Sequence, residues 1–439
     1  MDWTTLLAAS RLTVGDVFNR VERPAFLTDL DRVLFSQPFR RLANKTQVHP
    51  LYDNDHLHHR MIHSLETASV GRSLGVEAGL WLVDAGLLPV GAPNDLSYIL
   101  QAACAAHDIG NPPFGHAGED AISEWFRTRR PFGDALPPEV RKEFEHFEGN
   151  AQGFRILTRL EMYRQAGGMR LTHAVLGAFT KYPCLAEAGC LGSQAAYIGE
   201  KKYGAFRAEA GYLEEMATVT GLPRRGGGWA RHPLAFLVEA ADDLCYTILD
   251  LEDAFIAGDL PFAEVEALLR ALIPTMEPPR QPDQTEGEHI AHLRALAVGS
   301  AIRASAQAFR DHHEAILSGR FSQSLSDVFA LRIPFAQIAQ VARSRIFPSG
   351  RKAELEVIGR NVIFRLLDAC FEFLDAVRGT GWDAEAALAQ APYLRKLVQV
   401  GGFDLRGVCD AYTALHALTD FISGMTDRYA LKCARLLGA

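Results

Sequence analysis

The sequence predicts an all-α protein, and three observations support this fold class. Apolar residues recur at three- and four-residue spacing in several long segments, which is the period of an amphipathic helix. Alternating strand patterns are scarce, and no strand–helix repeat recurs. Neither a Gly-rich dinucleotide fingerprint nor a P-loop is present. The predicted helical segments are residues 56–83, 148–165, 232–257, 289–317, 353–378 and 406–424.

Proline and glycine gather at the breaks between these segments. Two breaks, residues 130–138 and 222–233, interrupt the part of the chain that carries the polar clusters described below, and we expect them to be loops beside a site. Residues 274–287 are the best candidate for a boundary. We therefore predict a core over residues 1–273 and a C-terminal helical region over residues 274–439 that packs on this core.

The composition is that of an ordinary globular protein, with 48% hydrophobic and 22% charged residues in a chain of 439. A formal net charge of −8 argues against a protein that mainly coats nucleic acid. No apolar run reaches the ~18 residues that cross a bilayer, and Met1-Asp2-Trp3 begins no signal pattern. The seven scattered cysteines predict buried free thiols in a reducing compartment, so the expected location is the cytoplasm.

The densest cluster of polar residues lies in the segment 106–119. An apolar helix there ends in His107-Asp108, and Gly110 with two prolines then turns the chain. A buried imidazole and carboxylate are costly unless something compensates them, and a divalent metal ion would do so. An isolated His-Asp pair is more often a helix cap and a turn, so further ligands are needed for a metal site.

Two other helices supply such candidates. Arg60 and His63 are three residues apart and share one helix face. Asp242 lies in a strongly apolar helix, and Tyr246 follows it on the same stripe. Two imidazoles and two carboxylates suit Mn²⁺, Fe²⁺, Zn²⁺ or Ni²⁺ and leave positions open for water and substrate, although spacing does not identify the metal. The predicted metal ligands are His63, His107, Asp108 and Asp242.

These four residues resemble the signature of the HD-domain phosphohydrolases. Longer strings resemble one branch of that family, the deoxyguanosinetriphosphate triphosphohydrolases and their dNTPase-like relatives, over roughly residues 25–435. This resemblance implies an HD-domain helical fold with additional C-terminal helices. The matching strings are residues 39–42, 45–48, 60–66, 107–119, 147–153, 180–183, 201–204, 239–246 and 422–430.

The resemblance implies a metal-dependent hydrolysis of deoxynucleoside triphosphates, dGTP or a broad set, to deoxynucleoside and inorganic triphosphate. Water would attack the α-phosphorus. Mn²⁺ or Mg²⁺ is the first expectation for the ion, with Fe²⁺, Zn²⁺ and Ni²⁺ as alternatives. The family comparison assigns the catalytic pair to His116 and Glu119. A three-residue spacing places both on one helix face, so that Glu119 can orient the imidazole. Whether His116 acts first as base or as acid stays open.

The resemblance also implies a set of substrate contacts. A triphosphate needs several donors, and arginine can bind phosphate with two of them. Segments expected to read the base match the family less closely, so the base preference stays open. Positions that match triphosphate contacts are Arg60, Asn150, Lys181, Tyr182 and Lys202, and those that match sugar contacts are Gln47 and Tyr246.

Two alternatives remain from the sequence. Another HD nucleotide phosphohydrolase or phosphodiesterase would have the same metal site and would differ in its products. A regulatory oligomer that responds to nucleotides or single-stranded DNA would use basic residues around 347–350, for which a solvated loop is the commoner interpretation. The resemblance implies a homo-oligomer, with hexamers among its relatives, and an effector nucleotide or single-stranded DNA as a partner. These basic residues are Arg343, Arg345, Arg351 and Lys352.

Overall fold

The computed structural model describes residues 1–13, 23–46, 59–189, 192–274, 280–346, 350–390 and 402–437, without the side chains of residues 134, 193, 350–352 and 355. It confirms the all-α fold class. The α-helices are α1 (Trp3–Leu6), α2 (Ala25–Leu34), α3 (Gln37–Arg41), α4 (Arg60–Asp84), α5 (Ala92–Ala106), α6 (Gly115–Arg129), α7 (Pro138–Glu145), α8 (Gly149–Arg155), α9 (His173–Phe179), α10 (Ala210–Val219), α11 (Pro233–Ile256), α12 (Phe262–Arg270), α13 (Glu286–Asp311), α14 (His313–Leu317), α15 (Leu325–Val328), α16 (Arg332–Val341), α17 (Gly350–Gly379), α18 (Ala384–Gln390), α19 (Ala411–Ser423) and α20 (Asp427–Leu436).

The helix prediction from periodicity was wrong where the chain forms a short π-helical turn, and periodicity did not reveal a short β-hairpin. The segment predicted as one helix over 148–165 is α8 followed by a π-helical turn, Ile156–Leu160, beyond which the chain turns back. The break at 222–233 contains a small antiparallel hairpin, in which β1 (Arg224–Arg225) pairs with β2 (Gly228–Trp229). Two residues per strand are too few for an alternating pattern to be visible in the sequence.

Helix α5 lies at the centre of the first hydrophobic core. It packs against α2, α4, α9 and α11, and its residues from Ile99 to Ala106 are almost entirely buried. A helix surrounded on all sides needs apolar residues around its whole circumference, which explains the continuous apolar run of the sequence here. The helix ends at Ala106, so His107 and Asp108 lie directly after its C-terminal end, which fixes their position relative to the core.

A second core joins the C-terminal helices to the middle of the chain. Residues of α6, α7, α17, α19 and α20 pack together there, including Trp125, Phe144 and Leu366. Helix α13 packs instead on α4 and α11 in the first core. The proposed division at residue 274 stays a prediction. Among the described residues, no helix combines the length and the apolarity that a membrane crossing demands.

The described cysteines form no disulfide, and five of the six are buried. Cys409 is exposed, which corrects the expectation that all thiols are buried. It lies just before α19, in a loop that the helical period did not reveal.

His232 fixes the start of α11, the helix that carries Asp242. Its Nδ1 accepts a hydrogen bond from the Leu234 amide (3.1 Å), and its Nε2 donates to the Leu6 carbonyl (3.0 Å). The neutral ring therefore satisfies both partners. Burial lowers the pKa of His232 to about 4 from its ordinary 6.5.

We expect this histidine to make the protein less stable in mild acid. Between pH 6.5 and pH 4 the unfolded chain binds a proton at this position that the folded chain does not, so the free energy of unfolding should fall by about 3 kcal/mol as the pH decreases. Urea unfolding at a series of pH values measures this slope. His232→Gln should be less stable at pH 7 but show a shallower slope, and identical slopes would contradict the assignment.

Candidate active site

One cavity of about 420 Å³ brings together all the described residues that were predicted as metal ligands, catalytic residues or substrate contacts. Its walls come from the first turns of α4 and α6, the C-terminal end of α5, the middle of α11 and the loops after α7 and α9. Gln47 lies outside the described residues. The cavity contains Arg60, His63, His107, Asp108, His116, Glu119, Asn150, Lys181, Tyr182, Lys202, Asp242 and Tyr246.

The four predicted metal ligands converge at the end of α5. His63 Nε2 lies 3.1 Å from Asp242 Oδ1, and His107 Nε2 lies 3.5 Å from the same oxygen. Asp108 Oδ1 is 3.6 Å from His107 Nε2. One donor atom from each of His63, His107 and Asp108 lies within 4.8 Å of the others. Three helices therefore direct two imidazoles and two carboxylates toward one small volume.

The His107 ring has an orientation suited to a metal ligand. Its Nδ1 donates to the Cys104 carbonyl (2.6 Å), which leaves Nε2 directed toward the carboxylates. Buried Nε2 has no hydrogen-bond partner among the described residues. Burial lowers the pKa of His107, but Asp108 and Asp242 outweigh it and raise the pKa to about 9, so Nε2 holds a proton that a cation bound there would displace. An orphaned nitrogen beside two carboxylates fits a divalent cation.

Asp108 is held from two sides. Arg60 donates to its Oδ2 (2.6 Å), and the Asn111 amide donates to its Oδ1. Burial would raise the pKa of Asp108, yet Arg60 and the two imidazoles hold it well below its usual range. The carboxylate is therefore ionised at any pH where the protein would work. Asn111 belongs to the 107–119 string but was not singled out from the sequence.

His116 and Glu119 form a hydrogen-bonded pair at the mouth of the cavity. His116 Nδ1 lies 2.7 Å from Glu119 Oε2, and the Gly149 amide donates to Glu119 Oε1 (2.8 Å). A Cβ atom at residue 149 would lie 2.5 Å from the side-chain oxygens of Glu119 and Asn111, so both side chains would have to move away. Glu119 is buried, whereas 80% of the His116 side chain is accessible to solvent. The hydrogen bond that His116 donates to Glu119 raises the pKa of His116 above its ordinary value.

Carboxylates hold the cationic side chains of the cavity in place. Lys181 Nζ lies 3.1 Å from Glu239, which also binds the fully buried Arg231 at 2.7 Å. Burial would lower the pKa of Lys181, but Glu239 raises it above its usual range. Lys202 Nζ lies 2.9 Å from Glu148.

The same carboxylate of Glu148 accepts from the Asn150 amide (2.6 Å), and it lies in the cavity wall beside Lys202. Glu148, Glu239 and Arg231 were not predicted as site residues. The first two stand inside strings that resemble the family, at 147–153 and 239–246, which was the only signal available. Arg231 carried no signal, because its role depends on the burial of its whole side chain against Glu239.

A larger cavity of about 850 Å³ lies elsewhere, between α8, α19 and the start of α20. It contains several arginines, but carboxylates already neutralise most of them. Arg155 binds both Asp420 and Glu209, and Arg164 binds Asp404. It holds no cluster of metal donors among the described residues. The smaller cavity is therefore the better candidate for chemistry.

Only part of the predicted basic patch can be placed. Arg343 is exposed, and Arg345 forms an ion pair with Glu264 at 2.5 Å. The side chains of Arg351 and Lys352 lie outside those that the structure describes. One of the two visible charges is thus already paired, which weakens this surface as a nucleic-acid site.

Comparison with known proteins identifies the class. The HD domain family matches residues 60–174, which carry three of the four predicted ligands, and HD domains bind divalent metal ions. Over the full length, the chain is 41% identical to a deoxyguanosinetriphosphate triphosphohydrolase-like protein of Pseudomonas aeruginosa, covering 99% of this chain and 98% of that protein. Similar proteins of the same name occur in Synechocystis (39%, covering 98% and 97%) and Listeria monocytogenes (30%, covering 98% and 98%).

The chain is thus an HD-domain protein, and a particular branch of that class follows from the full-length matches. It belongs to the deoxyguanosinetriphosphate triphosphohydrolase-like family.

Proposed function

We propose that the chain hydrolyses deoxynucleoside triphosphates to deoxynucleoside and inorganic triphosphate, by attack of water at the α-phosphorus. The observation that carries this proposal is the single cavity in which a metal-donor cluster, a His-Glu pair and three cationic side chains face one another. Each group alone has ordinary structural interpretations. Their convergence in one cavity matches what the reaction requires, namely charge neutralisation, proton transfer and a polyanion site.

His63, His107, Asp108 and Asp242 would hold the divalent ion, Mn²⁺ or Mg²⁺ first, with Fe²⁺, Zn²⁺ and Ni²⁺ as alternatives. When bound, such an ion polarises a phosphate oxygen and makes water more acidic. The protein's own part is to keep both carboxylates ionised and the imidazole lone pairs correctly aimed. Asp242 is suited to this, because the His107 and His63 imidazoles hold its pKa well below its usual range against the effect of burial.

His116 and Glu119 are proposed as the proton-transfer pair. The Glu119 carboxylate fixes His116 Nδ1 as the protonated nitrogen, so Nε2 is left to exchange a proton with substrate or water. The 80% exposure of the ring gives a bound nucleotide direct access to it. The Gly149 amide fixes Glu119 in turn, so the imidazole has a defined orientation before substrate binds.

Arg60, Lys181 and Lys202 are the proposed triphosphate contacts, together with Asn150 and Tyr182. In the structure each cation faces the cavity while bound to a carboxylate. A triphosphate brings further negative charge to the same cations, to which charge-assisted hydrogen bonds can form. Tyr246, 39% exposed and one turn beyond Asp242 on α11, is proposed to pack against the sugar. Gln47 keeps its proposed role at the sugar from the sequence alone.

We expect Glu119→Gln to move one limb of the pH–rate profile to lower pH. The hydrogen bond that His116 donates to the Glu119 carboxylate is the largest cause of the raised pKa of His116, so a neutral amide should return that pKa toward 6.5. The direction is the same whether His116 acts as base or as acid, because the limb follows its pKa. Initial rates from pH 5 to pH 10 measure the shift, and an unmoved limb would exclude His116 as the titrating group.

The proposal is tested by incubating the protein with Mn²⁺ and each of the four dNTPs, then with their mixture, with GTP as control. Ion-exchange chromatography separates the products. Deoxynucleoside with intact triphosphate supports the proposal and ranks the bases, and activity only in the mixture indicates an effector nucleotide. Orthophosphate or pyrophosphate would instead support another HD phosphohydrolase. Homo-oligomer formation, regulation by nucleotide or single-stranded DNA, and a cytoplasmic location stay predictions.

A further inference from the structure

The string 422–430 near the C-terminus resembles the family but has no part in the chemistry described above. Its residue Asp427 begins α20 and is 2% exposed. One carboxylate oxygen accepts from the Thr46 amide (3.0 Å) and from the Thr46 hydroxyl (2.5 Å). The other oxygen accepts from the Phe114 amide (2.9 Å). A single buried carboxylate therefore joins two segments that are distant in the sequence.

Phe114 is the residue that turns the chain into α6. Its backbone is left-handed (φ +64°), a conformation that side-chain-bearing residues adopt rarely and at a cost. The next residues are Gly115 and His116, so the angle of this turn sets where the imidazole points. The Phe114 ring also packs closely against Gly359 of α17. The hydrogen bond from its amide to Asp427 holds a conformation that the sequence alone would not favour.

Thr46 is joined to the start of α4, which forms another part of the cavity wall. It forms an antiparallel bridge with His59, whose side chain accepts from the Ile62 amide at the start of α4. The Arg60 amide donates to the Lys45 carbonyl (3.2 Å). The segment that Asp427 binds is therefore joined directly to the first turn of α4, which carries Arg60 and His63.

Lys45 makes a second link between the C-terminal helices and the segments that carry the site residues. Its ammonium donates to the carbonyls of Asn111 (2.5 Å) and Ser423 (2.7 Å), and the residue is 3% exposed. Asn111 in turn donates to Asp108. Among the described residues, the Nζ of Lys45 donates only to backbone oxygens, and the burial of a lysine in this way is costly. Here it ties the C-terminal end of α19 to the turn that follows His107-Asp108.

We propose that Asp427, assisted by Lys45, is a positioning residue through which the C-terminal helices set the His116–Glu119 pair relative to α4. The inference rests on the proposed function of that pair. Asp427 does not line the cavity, so it acts through Thr46 and Phe114 and not by contact with substrate. The metal ligands lie on α4, at the end of α5 and on α11, and none of them bonds to Asp427.

The test compares Asp427→Asn with Asp29→Asn. Asp29 is also fully buried and also accepts a backbone amide, that of Thr172 (2.8 Å), but it lies outside the cavity wall. Both variants should lose stability, because the amide nitrogen of Asn faces a donor. We expect kcat to fall roughly 10- to 100-fold in folded Asp427→Asn, and kcat to stay within about twofold of wild type in folded Asp29→Asn. Mn²⁺ affinity, measured by calorimetry, should be unchanged in both.

A second readout does not depend on turnover. The His116 ring is titrated by NMR in wild type and in each variant. Its neighbours in the cavity are Glu119 on the same helix, Arg60 on α4 and Lys202 on the loop before α10. If Asp427 aligns the turn, Asp427→Asn should loosen the bond to Glu119 and lower the pKa of His116, while Asp29→Asn should not. A shift in both variants, or in neither, would overturn the proposal, even if the wild-type protein released no triphosphate.

Thr46→Val serves if Asp427→Asn does not fold. It removes only the hydroxyl donor and keeps the two backbone bonds to the carboxylate, so a smaller change of the same sign is expected in kcat and in the His116 titration. Thr46→Ser, which keeps the hydroxyl, should behave as wild type. Equal behaviour of the valine and serine variants would contradict the proposed link.

Discussion

His107→Ala should lower dNTP turnover by about a thousandfold or more and abolish tight binding of one divalent ion. The imidazole supplies a donor whose Nε2 has no other partner among the described residues, and its loss leaves Asp108 and Asp242 facing each other without it. The lost stabilisation of transition-state charge by a metal ion is worth several kcal/mol, which corresponds to this factor. Isothermal titration with Mn²⁺ and the product assay with dNTPs measure the two effects separately.

A matched control for this experiment is His416→Ala. His416 is 2% exposed, and both of its ring nitrogens lack hydrogen-bond partners among the described residues. It lines the larger cavity and not the cavity that contains Asp108 and Asp242. Its removal tests what loss of a buried imidazole costs in stability alone, so Mn²⁺ binding should persist. Intact dNTP turnover in His107→Ala would disprove the assignment of the metal site.

His116→Ala is expected to lower kcat by about 10²- to 10⁴-fold while leaving Mn²⁺ affinity unchanged. A positioned general acid or base contributes a factor of this size. His116 lies outside the donor cluster, so its loss should not affect the ion. Single-turnover kinetics at saturating dNTP separate the chemical step from binding, and calorimetry gives the metal affinity.

The exposed His146 offers the control for His116, because it does not line the cavity. His146→Ala should retain the wild-type kcat. A kcat for His116→Ala within about threefold of wild type would remove this histidine from the mechanism, since no positioned proton-transfer group is worth so little. A loss of Mn²⁺ binding would instead place it among the ligands.

Much of the fold and the metal cluster could be predicted from the sequence because both depend on local pattern. The helical period located both ends of α4, α11 and α17 to within four residues. The segment predicted over 289–317 is α13 followed by the short α14, and α19 begins five residues later than predicted. The apolar run before His107 and the apolar setting of Asp242 both predicted buried polar groups. Residue types suggested that these groups form one ligand set, and the resemblance supported this, but no period in one helix determines which other helix it meets.

The unpredicted parts depend on contacts between distant residues. Glu239 and Glu148 are ordinary acids in the sequence, and their importance follows from the lysines that fold against them. The π-helical turn after α8 and the two-residue hairpin strands leave no periodic signal. Lys45 stands in a string that resembles the family, but nothing local predicts a buried lysine bound by carbonyl oxygens.

Three ion pairs in the cavity should affect which anions can bind there. They are formed by Lys181, Lys202 and Arg60. A ligand must compete with carboxylates that are already in place, at 3.1, 2.9 and 2.6 Å from the three cations. An anion of low charge, such as orthophosphate, gains little from such a competition. A polyphosphate can compete at all three positions in one binding event. The carboxylates would therefore lower the affinity of the cavity for abundant small anions more than its affinity for a polyphosphate.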